Sequence, residues 1–124
     1  MHIVVDALGN PLRLSLTAGQ TADIKQAPVL LAALNTDHVI ADRGYAAQTL
    51  VDLIITNAAE AVIPPHPRAK VKRDYDRWLY RERHLVECFI NKIKHFRRVF
   101  SRFDKLAHRY AGFLYLVSTI IWLR

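Results

Sequence analysis

LYRERHLVECFINKIKHFRRVF, residues 79–100, carries two patterns at once. Leu79, Leu85, Val86, Phe89, Ile90, Ile93 and Phe96 recur at helical spacing, while Tyr80, Arg83, Glu87 and Lys94 stand three, four and seven residues apart. At about 100° per residue these four polar side chains fall within about 60° of arc, and Asn91 and Arg98 join the same stripe. The spacing predicts one amphipathic helix over 79–100 with an acid set among fixed positive charges. A solvated face laced with intrahelical ion pairs would give the same pattern, so a functional reading needs a second acid elsewhere.

Outward from that helix, the N-terminal side reads as alternating strands and helices. Ile3 to Leu8 is apolar and β-branched, Gly9-Asn10-Pro11 supplies turn chemistry, and Leu12, Leu14 and Leu16 alternate with Arg13, Ser15 and Thr17, which predicts a β-hairpin. A helix capped by Thr21 or Asp23 follows through Ala27, Leu30, Leu31 and Leu34, then a short buried strand over 38–41 that ends at Asp42-Arg43-Gly44-Tyr45. Residues 48–57 predict a second helix, Ala61-Val62-Ile63 another strand, and 64–76 a loop of proline and basic residues fit to lie along phosphates. The order makes an α/β mixed sheet. An apolar run from Tyr110 to Leu123 closes the chain. It falls short of the ~20 residues a membrane span needs, so it reads as a buried terminal helix or a dimer contact.

The 124 residues suffice for one domain or part of one, and 52% hydrophobic composition excludes a disordered chain. One cysteine, Cys88, rules out an internal disulfide framework and a cysteine-rich zinc site, and points to a reducing, cytoplasmic setting. It reads as a bystander thiol. The six histidines have no zinc spacing, and His84 and His95 near the polar face of the long helix read as exposed. No Gly-rich phosphate loop, His-Glu-x-x-His or nucleophile elbow is present. Charge is uneven: residues 1–67 carry three basic and six acidic groups, and 68–109 carry fourteen basic and five acidic, a net of +9. Such a block is the electrostatic footprint of a protein that meets a polyanion, above all nucleic acid. Trp78, Phe96 and Phe103 interleave with these cations; packing in the core is their simplest role, and stacking on bases the alternative.

Asp42 sits where a buried strand runs out, the place from which α/β folds project catalytic side chains. Its plain alternative is to cap the next helix. Gly44 offers a sharp turn or close approach there, and Tyr45 a hydroxyl or ring. With Glu87, Asp42 makes the pair of carboxylates that a hard divalent cation takes, and oxygen ligands in a basic surround mean phosphoryl chemistry. A third carboxylate usually completes such a site, and the sequence does not clearly provide one.

The spacing Tyr80-x2-Arg83-x3-Glu87-x6-Lys94 resembles the signature of bacterial insertion-sequence transposases with a DDE (Asp-Asp-Glu) catalytic core. HIVVDALGNPLRLSLTAGQ, VIADRGY, AVIPP, YDRWLYRERHLVECFINKIKHFRRVFSRFDKLA and the closing IIWL are similar, in order, to members of the insertion sequence five family. The likeness covers essentially the whole chain.

The resemblance implies a ribonuclease-H-like mixed sheet with flanking helices, lacking its first strand. Residues 1–124 would be the C-terminal part of the catalytic domain: a sheet portion over 1–67, the basic loop and catalytic helix over 68–109, and an apolar helix over 110–124. Asp42 and Glu87 would be the second and third catalytic acids and would hold Mg²⁺ or Mn²⁺. Hydrolysis at the element's end frees a 3′-hydroxyl, which then attacks target DNA. Arg83 and Lys94 would contact phosphates, Tyr80 would position the strand or the acid, and Arg97, Arg98, Arg102 and Lys105 resemble a DNA-facing surface. The family's first Asp lies on a strand upstream of the hairpin, and Asp6 is placed instead at the turn and not as its replacement. The implied partners are the element's terminal inverted repeats, target DNA, a second copy in a homodimer, and an upstream transposase segment joined by frameshifting; no membrane is implied, and the setting is the bacterial cytoplasm at the nucleoid. A decayed remnant, or an inactive DNA-binding or dimerising fragment, fits the same residues.

Overall fold

The computed structural model describes residues 1–17, 23–70, 72–96 and 107–123. The chain divides into two units, Met1–Gly19 with His84–Arg124, and Gln20–Arg83.

In the first unit β1 (His2–Val5) pairs antiparallel with β2 (Pro11–Ser15), with Ile3 opposite Leu14 and a register irregularity between Val4 and Val5. The hairpin turn explains itself chemically. Gly9 takes φ +82°, where a side chain is strained. The Asp6 carboxylate accepts from Leu8 N–H at 2.8 Å and Asn10 N–H at 2.9 Å. Asp6 is thus a turn former, as its place in the pattern suggested. Two helices cover the hairpin, α4 (His84–Ile93) and α5 (Ala107–Leu123). Their buried side chains Phe89, Ile93, Tyr110, Leu114, Val117 and Ile121 form one core, with Ile3, Val5, Leu14, Leu16, Phe96 and Phe113 packed against it. Tyr115 O–H donates to Leu14 O at 3.4 Å, and the Trp122 indole N–H donates to Pro11 O, so α5 is pinned along β2. No helix of the described residues is long and apolar enough to cross a membrane.

In the second unit α1 (Asp23–Leu31) leads to β3 (His38–Ile40), a 3-10 turn (Arg43–Tyr45), α2 (Gln48–Thr56) and β4 (Glu60–Val62). β3 and β4 pair in parallel, the geometry a helical crossover permits. Leu50, Val51 and Ile54 of α2 bury with Ala27 and Ile63, and Val39, Tyr45 and Ala61 pack against them. Leu34 falls outside α1, which stops at Leu31, and Ala33 turns the chain at φ 58°. Thr21, expected as a cap, lies outside the described residues.

Two expectations need correction. The described strands make two separate two-stranded sheets, where the pattern predicted one mixed sheet. The helix expected over 79–100 is also broken: α3 (Arg77–Tyr80) gives way to a 3-10 turn at Arg81–Arg83 before α4 begins. Residues 81–84, RERH, offer no apolar side chain whose burial would hold α-helical geometry there. At the far end the last four-residue bond runs from Lys94 N–H to Ile90 O, after which His95 and Phe96 donate three residues back and close the turn.

Candidate functional site

Asp42 follows β3 by two residues and is exposed. Its Oδ1 accepts from Gly44 N–H at 2.9 Å, so the carboxylate caps the 3-10 turn that its own residue opens. Capping, the plain alternative, is therefore real. It engages one oxygen of an exposed side chain. Gly44 contributes by lacking a side chain: a Cβ there would lie 3.0 Å from Asp42 Oδ1 and would push the carboxylate aside. Its backbone is not left-handed, yet it lies in the 3-10 turn Arg43–Tyr45, so the chain turns here as expected and the close approach is that of its own chain's Asp42 carboxylate. Tyr45 is half-buried and packs against the second core.

Glu87 lies in the first turn of α4 and is exposed, with the helix's partial positive charge behind it. Phe89 and Ile93 on the same helix are buried, which fixes the rotation that turns Glu87 to solvent. Lys94 is exposed in the turn that ends α4. Tyr80 and Arg83 are half-buried and belong, with Asp42, to the second unit, whereas Glu87 and Lys94 belong to the first. Between Tyr80 and Glu87 the chain passes through the 3-10 turn, where the angle per residue differs from that of an α-helix. Arg97, Arg98, Arg102, Lys105 and Phe103 lie outside the described residues.

Oxygen donors of this kind suit a hard divalent cation, and among the described residues no group of three His, Cys, Asp or Glu side chains could hold a metal ion.

The basic loop is less open than its composition predicted. Lys72 Nζ donates to His66 O at 3.1 Å and to Pro67 O, and Arg73 Nη2 donates to Ile63 O at 3.2 Å. These two cations bind the loop to itself, and Lys72 nonetheless stays exposed, as do Arg68 and Lys70. Sequence reading missed a second feature. Asp76 caps α3 by accepting from Trp78 N–H and Leu79 N–H at 2.9 and 3.0 Å. Around that cap Arg77 lies over the Tyr75 ring at 5.0 Å, Arg81 over the Trp78 ring at 4.5 Å, and Tyr75 meets Tyr80 edge-on at 5.6 Å. Trp78 is 74% exposed, so core packing is not its role. Phe96, by contrast, does pack on the first core. Asp76, directly ahead of the run Arg77-Trp78-Leu79-Tyr80-Arg81, was the available signal.

The family model for the transposase DDE domain matches residues 1–122. A Brucella ovis protein named as a transposase for insertion sequence element IS6501 is 43% identical over 126 residues, covering 100% of this chain and 97% of the relative. A Burkholderia cepacia protein named as a transposase for insertion sequence element IS402 is 30% identical over 132 residues. That alignment covers 97% of this chain and 60% of the relative. No solved structure matches the chain.

Proposed function

Because this chain belongs to the transposase DDE domain family, we propose that it serves metal-dependent DNA end cleavage and strand transfer in transposition of a bacterial insertion sequence of the insertion sequence five type. Asp42 and Glu87 are its catalytic acids and ligands for Mg²⁺ or Mn²⁺. Arg83 and Lys94 hold DNA phosphates and Tyr80 positions the strand or the acid, with Arg97 and Arg98 extending the DNA surface. The observation that carries this reading is Asp42 itself. It is an exposed acid just past a strand, the place from which α/β folds project catalytic side chains.

A cation at these carboxylates supplies charge neutralisation at the scissile phosphate and a water or hydroxyl activated as nucleophile. The chain's own residues hold the DNA in line and screen its charge, which is most of what phosphoryl transfer asks of a protein. The third acid comes from an upstream transposase segment, joined by frameshifting, on a strand that completes a ribonuclease-H-like sheet. The relatives divide in length: the chain spans 60% of the Burkholderia relative and 97% of the Brucella one. The working assembly is a homodimer on the element's terminal inverted repeats and target DNA, at the nucleoid.

The test joins the chain to the upstream segment of its element and assays nicking of element ends with Mg²⁺. Nicking that requires both the cation and the joined segment supports the proposal; nicking that persists in chelator defeats it. One other reading fits the same residues, an inactive DNA-binding or dimerising fragment. Salt-sensitive DNA binding without nicking, even after joining, would select it.

A further inference from the structure

Trp78 places most of a large aromatic ring in water on a four-residue helix, 74% exposed, where burial would be worth about 2–3 kcal/mol. It is held there deliberately. Its backbone N–H is fixed by Asp76 at 2.9 Å, and Arg81 covers the ring at 4.5 Å from its centroid. Beside it Arg77 lies over Tyr75, and Tyr80 braces Tyr75 edge-on. Residues 64–83 hold seven Lys or Arg and three Asp or Glu, so this aromatic cluster stands in a positive field.

Resting on the DNA-processing function above, we infer that Trp78, backed by Arg81, is a stacking platform for an unpaired nucleobase of a DNA strand held by the cations around it. A flat indole accepts any base face, and a guanidinium on the ring both orients it and attracts the adjoining phosphate. A duplex presents only base edges in its grooves and closed stacks at its ends. The platform therefore prefers DNA with a single-stranded extension, and its preference is for structure rather than sequence.

The experiment measures binding of the chain to a duplex with a short 3′ overhang and to the blunt duplex of the same sequence, by fluorescence anisotropy across a salt series. Trp78→Ala weakens overhang binding roughly 5- to 150-fold, the equivalent of 1–3 kcal/mol for one stacked base, and leaves blunt-duplex binding and its salt slope unchanged. Trp78→Phe recovers most of the overhang preference. Overhang DNA also quenches tryptophan emission in the parent chain, and that quenching disappears in Trp78→Phe. Equal binding of both DNAs, unaffected by Trp78→Ala, overturns the platform while leaving the DNA function intact. A change in oligomeric state in place of any DNA effect assigns Trp78 to a protein contact and overturns it too. No salt-sensitive binding to either DNA overturns the platform together with the function on which it rests.

Discussion

The two proposed catalytic acids stand in units of opposite construction. In Gln20–Arg83 the local chain decides where Asp42 points: strand, carboxylate, backbone N–H and glycine all lie within a few residues. In the other unit Glu87 owes its exposure to Phe89 and Ile93, which are buried against α5 and a hairpin at the far end of the sequence. One acid is placed by a turn and the other by a core. The difference teaches that the same chemical role can be secured by short-range or by long-range structure, and that damage to each should look different.

Emptying the core that sets Glu87 should have the largest effect. Phe89 is fully buried, and Phe89→Ala removes about 3–5 kcal/mol in chemical denaturation. Hydrogen exchange should then rise in β1 and β2 as well as in α4; loss of protection confined to α4 would mean that the hairpin and the helix do not share one core. A smaller loss, about 1–2 kcal/mol, follows Gly9→Ala, since alanine at φ +82° is strained. A Cβ there would sit 3.7 Å from Leu85, an ordinary contact, so the cost is in the backbone and a thermal melt without loss of helix content would show it.

In the locally built unit the losses are smaller. Asp76→Ala removes two capping bonds and costs about 1 kcal/mol, accompanied by a red shift or broadening in the Trp78 environment measured by fluorescence. Asp42→Asn keeps a capping oxygen and should change stability by less than about 0.5 kcal/mol. If it destabilised the chain as much as Phe89→Ala, the claim that Asp42 is placed by its own turn would fail.

How much was readable in the sequence follows the same division. The hairpin, both short strands and α2 were legible because their signals are local: alternation, Gly9-Asn10-Pro11, and apolar spacing. Asp42 was legible as a strand-end acid, and so was its alternative as a cap, for the same reason. The break at Arg81–Arg83 was not legible, since periodicity on either side counts straight through a polar segment with no apolar side chain of its own. Beyond the hairpin, the division of the described strands into two sheets was missed, because which edge meets which is decided by contacts remote in sequence. The self-binding of Lys72 and Arg73 was hidden by composition, which counts cations and cannot see carbonyls. Trp78 was weighed as core because tryptophans usually are, and only the exposed ring with Arg81 over it reverses that.

The central claim is that Asp42 and Glu87 are catalytic acids placed by two different means. Its most direct test is the transposition frequency of the element in cells, with the chain joined to its upstream segment and carrying Asp42→Asn or Glu87→Gln, read beside the melting temperature of each purified protein. Both substitutions should drop transposition to background while melting stays at the parent value. Wild-type transposition in either variant would contradict the account.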